Sequence, residues 1–247
     1  MTDSNKKTRI AVLDAHVLYG ECLCLALTLR GHEALQIPVP ARTTGSTALL
    51  AVILRKRPDV AILDIELGTG WDAGTLVQGL ARSRVHVVVV TEVSDPVRWG
   101  EALAHGARLV LSKDAPLSTV TSAMRRLNDR VPLMTPEQRR GMLEAFRDES
   151  RVRREERARL ETLTTRESEI LDYLIAGMAA SDIAAMCVVS EATVRTQIKA
   201  VLAKLEVRSQ IAAVGMAHHI KWHPRDFSTG DHRKRHRIDP ARSAGAM

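Results

Sequence analysis

The sequence has no long apolar run and few cysteines, and both absences exclude classes of protein. No segment approaches the roughly 18 to 20 unbroken apolar residues of a membrane span, and the first ten residues, MTDSNKKTRI, lack the apolar core of a signal peptide. We therefore expect a cytoplasmic protein with no membrane partner. The chain has three cysteines, Cys22, Cys24 and Cys187. Their odd number and their spacing favour neither a set of disulfides nor a metal site, so we interpret them as reduced, buried thiols.

Length and charge set further bounds. A chain of 247 residues, 45% hydrophobic and 26% charged, is ordinary for a soluble protein and long enough for two domains. The formal net charge of +7 favours a polyanionic partner without identifying it. No cysteine or carboxylate stands at metal-site spacing from the C-terminal histidines, so we predict no metal there; they are His218, His219, His223, His232 and His236.

Short apolar runs alternate with helical segments from residue 9 to about residue 130. The strand-like runs are RIAVLD, EALQIPV, VAILDI, VHVVVVT and RLVLSK. They show no polar alternation, which is typical of strands buried on both faces of a parallel sheet. The first helical segment carries Leu18, Cys22, Leu25 and Leu29 at the 3.6-residue spacing of an apolar helix face. The pattern predicts five βα units in an α/β domain with a doubly wound, five-stranded parallel sheet.

Polar side chains follow four of these strands. Asp14 and His16 follow the first, Asp64 the third, Thr91 the fourth and Lys113 the fifth. Ligands of a doubly wound sheet bind outside the carboxyl ends of its strands, so we expect these groups to converge on one rim. Polar residues end many strands, and a structural role for each is the alternative.

This order of residues resembles the receiver domain of bacterial response regulators, over about residues 8 to 130. The resemblance implies a flavodoxin-like fold and phosphorylation of Asp64 by a histidine kinase. It also implies a switch formed by Thr91 and Lys113, and no turnover of a substrate. The Mg²⁺ ligands that it implies are Asp14, Asp64 and the backbone carbonyl of Glu66.

Three positions depart from the receiver pattern. Ala15 stands where receivers usually carry a second acid, Gly68 where proline is usual, and Val110 where an aromatic switch residue is common. Loss of a metal ligand is expected to lower metal affinity by at least roughly 10 to 100-fold. Two routes of control therefore remain open. One is phosphorylation of Asp64; in the other, the rim binds a small ligand or partner, or the domain simply dimerises.

Residues 135 to 163 carry dense alternating charge, which is typical of a solvated helix. Their sparse apolar residues are Met142, Leu143, Phe146, Val152 and Leu160. We predict a charged helical linker over residues 131–162. A helix that pairs with its copy in a dimer is the alternative.

The segment after the linker predicts a group of short helices. The first begins at a capping box of Thr164 and Glu167 and ends at Gly177. SDIAAMC predicts a second helix, and Ser190 caps a third, EATVRTQIKAVLAKL. One side of this third helix is apolar, whereas the opposite side has small residues, cations and no acid between Ala192 and Leu205. Such a face suits contact with DNA, and an ordinary solvated face is the alternative.

Four segments resemble the DNA-binding domain of LuxR/NarL-type regulators: LTTRESEIL, IAGMAASDIA, VSEATVRTQIKAVLAKLEV and RSQIAAV. The resemblance implies an all-α helix-turn-helix domain, assigned to residues 163–220, that binds double-stranded promoter DNA as a homodimer. The two half-sites would lie about one helical turn, roughly 10 bp, apart. The predicted DNA-binding residues are Thr193, Arg195, Thr196, Gln197, Lys199 and Lys204.

Two alternatives concern the C-terminal part of the chain. A signalling adaptor, in which the helical module binds protein instead of DNA, is the alternative function. Residues 221–247 are basic and rich in turn-forming residues, which predicts a disordered tail. A phosphate-contacting arm is the other interpretation of that tail.

Overall fold

The computed structural model describes residues 7–40, 45–68 and 70–222. The chain divides into two compact units, residues 1–152 and 153–247. Each unit has its own apolar core. The predicted tail lies, apart from residues 221 and 222, outside the described residues. No helix of the described segments is long and apolar enough to cross a membrane.

The first unit contains one parallel sheet in the order β2-β1-β3-β4-β5. This is the strand order of a flavodoxin-like doubly wound fold, and the predicted five-stranded parallel sheet is confirmed. The strands are β1 (Arg9–Leu13), β2 (Glu33–Gln36), β3 (Val60–Leu63), β4 (His86–Thr91) and β5 (Leu109–Ser112).

Helices cover both faces of the sheet, so the apolar side chains on either side of each central strand are buried. Ala11 and Leu13 of β1 point into one core cluster, and Ile10 and Val12 point into the other. The edge strand β2 differs from the prediction, because its residues alternate between exposed and half-buried. The helices are α1 (Val17–Leu29), α2 (Ser46–Arg55), α3 (Ala73–Arg82), α4 (Pro96–Ala104) and α5 (Leu117–Asn128).

Helix α1 forms as predicted, but its regular apolar stripe faces outward. Leu18, Leu25 and Leu29 are 73%, 63% and 78% exposed, and the helix buries Gly20, Leu23 and Leu27 instead. Because α1 is apolar on nearly every side, spacing alone could not select the buried face. The interpretation of the cysteines as buried is wrong, since Cys22 of this helix is exposed, and Cys24 and Cys187 are half-buried.

Helix α6 (Pro136–Glu161) covers most of the predicted linker. Its first part is packed in the first unit, where Met142 and Leu143 lie against the core and Arg139 donates hydrogen bonds to the carbonyls of Leu103 and Ala107. In the second unit, Leu160 near its end is fully buried. The expectation of a solvated helix is therefore wrong for these residues.

The described part of the second unit, which ends at residue 222, continues with four helices around one core. They are α7 (Thr165–Ile175), α8 (Ala180–Cys187), α9 (Glu191–Lys204) and α10 (Gln210–His219). The two predicted N-caps are confirmed. The Thr164 amide donates to Glu167 and the Glu167 amide to the Thr164 hydroxyl, while the Ser190 hydroxyl accepts from the Thr193 amide at 3.1 Å. These caps fix where α7 and α9 begin.

Candidate functional site

A rim of polar side chains lies at the carboxyl ends of four neighbouring strands in the first unit. Asp14 follows β1, Asp64 follows β3, Thr91 ends β4 and Lys113 follows β5. Asp14, Asp64 and Thr91 are 5%, 2% and 0% exposed. The Thr91 hydroxyl accepts a hydrogen bond from the Val93 amide at 3.3 Å. The parallel strands thus bring buried carboxylates, a hydroxyl and an amine to one end of the sheet.

The Lys113 ammonium joins the two acids. Its Nζ lies 2.7 Å from Asp64 Oδ2 and 2.9 Å from both carboxylate oxygens of Asp14. The Lys113 side chain is only 5% exposed, and the Tyr19 ring lies 4.9 Å from Nζ. Burial disfavours the charge, but the hydrogen bonds to Asp14 and Asp64 outweigh it, and the pKa of Lys113 is raised. The result is a charge-assisted cluster in which two carboxylates share one cation.

His16 completes this cluster. Its Nδ1 lies 3.2 Å from Lys113 Nζ, 3.4 Å from Asp14 Oδ1 and 3.9 Å from Glu92 Oε1. An ammonium has three protons and no acceptor, so a hydrogen bond between these two atoms requires Nδ1 as the acceptor. The sequence predicted His16 on the rim without a ligand role, and it did not predict that Glu92 lies near it. Glu92 could have been identified from its position directly after β4.

Backbone amides orient both carboxylates. The His16 amide donates to Asp14 Oδ1 at 2.7 Å, and the Glu66 amide donates to Asp64 Oδ1 at 3.0 Å. The Glu66 side chain is exposed. Glu66 therefore orients the Asp64 carboxylate through its backbone amide, and its side chain takes no part.

The donor set departs from the Mg²⁺ site that the receiver resemblance implies. Ligand atoms of Asp14, His16 and Asp64 all lie within 4.8 Å of one another. Mg²⁺ prefers octahedral oxygen ligands, commonly one or two carboxylates with water. The two carboxylates meet that preference, but the imidazole nitrogen is a donor that suits Zn²⁺, Cu²⁺, Fe²⁺ or Ni²⁺ better. As a set, these residues do not fit an all-oxygen Mg²⁺ site.

The outward face of α9 in the second unit carries the predicted DNA-binding residues. Arg195, Thr196 and Lys199 are exposed on the side opposite Val194 and Ile198, which are buried. Arg195 pairs with Glu191, with Nη2 2.6 Å from Oε1. The sequence prediction of an acid-free face covered Ala192 to Leu205. Glu191 lies one residue before that stretch, so the prediction did not include its pairing with Arg195. An exposed pair spaced i,i+4 contributes only about 0.3 to 0.5 kcal/mol.

Other predicted DNA-binding residues are differently placed. Lys204 Nζ lies 2.6 Å from Glu167 Oε2, and this contact ties the end of α9 to the start of α7. The Thr193 hydroxyl shares a hydrogen bond with Ser190, and Gln197 is half-buried with Oε1 buried and unpartnered. Lys199 has no partner among the described residues. The exposed cations of the face are thus Arg195 and Lys199.

Comparison with known proteins assigns the second unit to a family. The model of bacterial regulatory proteins of the luxR family matches residues 161–217. The transcriptional regulatory protein DesR of Bacillus subtilis is 28% identical over 73% of this chain and 82% of its own length. The probable transcriptional regulatory protein NarL of Mycobacterium tuberculosis is 28% identical over 86% of this chain and 94% of its own. Residues 161–217 therefore match the luxR family, and the chain over most of its length is similar to NarL-type transcriptional response regulators.

The chain is also similar to solved structures of response regulators. The two-component response regulator RcsB in its DNA complex has 20% identity to this regulator and a TM-score of 0.47, covering 87% of this chain and 100% of that one. The luxR match begins at the last residue of α6 and contains α7, α8, α9 and all but the last two residues of α10. By the luxR match, the second unit contains a helix-turn-helix DNA-binding domain.

A half-buried acid makes the stability of this DNA-binding domain depend on pH. Burial and the nearby charge of Glu169 raise the pKa of Asp172 from 3.8 to about 6. Because the folded pKa is above the unfolded value, this contribution to stability is fully present below about pH 3.8 and is lost as pH rises through about 6. We expect Asp172→Asn to raise the free energy of unfolding by about 1 kcal/mol at neutral pH.

Urea unfolding of the regulator and its Asp172→Asn variant measures this difference across the acidic and neutral range. The gain in the variant should shrink towards zero as pH falls to the unfolded pKa. Glu21→Gln, at an exposed acid of α1, is the matched control and should show no such trend. A gain that is independent of pH would mean that it does not arise from ionisation of the Asp172 carboxyl, and this explanation would then be wrong.

Proposed function

We propose that this regulator binds double-stranded promoter DNA as a homodimer through α9, and that the rim of its first unit controls this binding. Residues 163–220 form the DNA-binding domain and residues 8–130 the controlling domain in this proposal, joined by the linker 131–162. The regulator acts in the cytoplasm and turns over no substrate. The observation that carries the proposal is the exposed face of Arg195, Thr196 and Lys199 within the luxR-family match.

The chemistry of this face suits the major groove. Arginine and lysine donate to the guanine O6 and N7 acceptors, and threonine contacts base edges or phosphates. Ala192 and Ala203, which are also exposed on α9, allow close approach of the helix backbone. Arg195 must exchange its Glu191 partner for DNA, which costs little because the pair is exposed. Gln197 and Thr193 flank the face and are assigned to phosphates.

Two copies are expected to read an inverted repeat whose half-sites lie about 10 bp apart. Selection of bound duplexes from random DNA with the full-length protein should therefore recover an inverted repeat. The mass of the complex at limiting protein should correspond to two chains. Recovery of single half-sites that are bound by one chain at every protein concentration would contradict the dimer.

For the rim, we propose control that does not require phosphorylation. Lys113 already pairs with Asp14 and Asp64 at 2.9 and 2.7 Å, and Ala15 contributes no third carboxylate. The imidazole of His16 further separates this site from an all-oxygen Mg²⁺ site. Val110, where an aromatic switch residue is common in receivers, is 3% exposed in β5 and has no large group to reorient. These features support a route that differs from transfer from a histidine kinase.

Intact mass tests this route. The protein and its Asp64→Asn variant are incubated with a small-molecule phosphodonor and Mg²⁺, and we expect no phosphoryl adduct on either. A phosphorylatable receiver of known activity serves as the positive control. An adduct on the parent alone would assign control to phosphorylation of Asp64, and Thr91 and Lys113 would then be its switch residues.

A further inference from the structure

We infer that a cleft between the end of α1 and one face of α5 binds a sugar phosphate, with Arg30 and Arg125 on the phosphate group. The cleft has a volume of about 420 Å³. Small-molecule sites in proteins commonly measure about 300 to 1,000 Å³. No residue of the polar rim lines this cleft, so the inference does not rest on control by the rim.

One face of α5 supplies most of the cleft. Its lining residues are Ser118, Thr121, Ser122, Arg125 and Asn128. Their spacing of i, i+3, i+4, i+7 and i+10 places them along one side of the helix. Ten residues of helix span roughly 15 Å, which is long enough for a phosphate and a carbon chain with several hydroxyl groups.

Two arginines give the cleft its charge. Arg30 is the C-cap residue of α1, Arg125 lies in the last turn of α5, and both are exposed. Neither has an ion-pair partner within residues 7–40, 45–68 and 70–222, and no acid of these segments lines the cleft. A guanidinium group binds two phosphate oxygens through parallel hydrogen bonds. The cleft therefore favours an anion with phosphate geometry.

The remaining lining groups suit a hydroxylated ligand. The hydroxyls of Ser118 and Ser122 can each donate and accept a hydrogen bond. Asn128 Oδ1 accepts from the Thr8 hydroxyl at 3.1 Å, which leaves its amide nitrogen to donate to a ligand. No apolar residue of the described segments lines the cleft, so a ligand with a large apolar part would find little to pack against. A sugar phosphate matches both the charge and the polarity.

His32 also lines the cleft and provides a reporter of anion binding. Its side chain is half-buried, and burial lowers the pKa of the imidazole because the charged form loses hydration. A phosphate bound beside it would attract the positive charge of the imidazolium. The pKa of His32 should therefore rise when the ligand binds, which distinguishes a phosphate in the cleft from one bound elsewhere.

The experiment is a calorimetric titration of the full-length protein with inorganic phosphate and with glucose 6-phosphate at constant ionic strength. We expect both probes to bind, and glucose 6-phosphate to bind more tightly because its hydroxyl groups reach the serines and Asn128. Arg30→Gln and Arg125→Gln should each lower the glucose 6-phosphate affinity roughly 10-fold, since each removes one charged hydrogen-bonding partner. The ring-proton NMR signal of His32, assigned with His32→Gln, should show the raised pKa in the complex.

The matched control is Arg82→Gln. Arg82 is an exposed arginine in the last turn of α3 and does not line the cleft. Its substitution removes the same charge from the same position of a helix, so the affinity for glucose 6-phosphate should stay unchanged. Circular dichroism checks the fold of the variants, whose substituted arginines are all exposed.

Three results would overturn the proposal. Equal losses of affinity in the Arg82→Gln and Arg125→Gln variants would mean that net charge explains the binding. Equal affinities for the two probes, or binding that survives both Arg30→Gln and Arg125→Gln, would exclude a sugar-phosphate site in this cleft. A fall in the affinity for promoter DNA in Arg30→Gln and Arg125→Gln would assign these arginines to DNA phosphates instead.

Discussion

Replacement of Arg195 and Lys199 by alanine in one double variant should lower the affinity for the selected promoter DNA by roughly two orders of magnitude. A bidentate arginine contact to guanine contributes about 1 to 3 kcal/mol, and a lysine contact to phosphate adds a term that salt weakens. A loss of about 2.8 kcal/mol corresponds to roughly 100-fold. Titration of labelled duplex at several salt concentrations measures both the affinity and its salt dependence.

The two contributions can be separated in the single variants. Arg195→Ala should relax the preference for one base pair of each half-site, whereas Lys199→Ala should weaken all sequences alike and reduce the salt slope by about 1. Both side chains are exposed, so neither change removes core packing. The only described partner that is lost is Glu191. Stability should therefore stay within about 0.5 kcal/mol of the parent.

The control is the double variant Arg55→Ala, Lys56→Ala, which removes the same charge from exposed positions at the end of α2 in the first unit. It should bind promoter DNA nearly as the parent does. If the α2 variant and the α9 variant lose affinity equally, net charge explains the binding and the assignment to α9 is wrong. If neither loses affinity, DNA binding does not depend on Arg195 and Lys199, and the assignment of these two residues is wrong.

Much of the fold could be predicted because local and tertiary preferences agree. The strands of the sheet centre are apolar on both sides, and only a parallel sheet between helix layers buries both. The capping boxes and N-caps are local, so Thr164, Glu167 and Ser190 could be identified without tertiary information. Helix α1 and strand β2 could not be resolved in the same way. Their exposed faces depend on which neighbours cover them, and sequence spacing is silent on that point.

The candidate sites were predicted to a similar degree. Asp14, Asp64 and Lys113 converge because the carboxyl ends of parallel strands lie at one edge of the sheet. The role of His16 depends on the turn after β1, which brings its ring back to Asp14. The pairing of Lys204 with Glu167 joins residues that are 37 positions apart. Neither contact can be predicted from sequence periodicity. The first places His16 within the acidic cluster, and the second gives Lys204 a partner inside its own domain.

Lys113→Met should lower the free energy of unfolding of the first unit by about 3 to 5 kcal/mol. The ammonium is the shared partner of two carboxylates that are 5% and 2% exposed. Removal of one partner of a buried ion pair leaves uncompensated buried charge, which is the costly change at such sites. Urea unfolding followed by tryptophan fluorescence reports on this unit through Trp71 and Trp99, which pack against its core.

A second change identifies the cause of the loss. Asp14→Asn in the Lys113→Met background removes the repulsion between the carboxylates and should recover part of the stability, although Asp14→Asn alone breaks an ion pair. Lys56→Met, at an exposed lysine after α2, controls for charge and should be nearly neutral. A Lys113→Met loss below about 1 kcal/mol would place this pair in the range of exposed salt bridges. Recovery in the double variant would show that the ammonium acts as the built-in counterion of a site that is otherwise too acidic to stay buried.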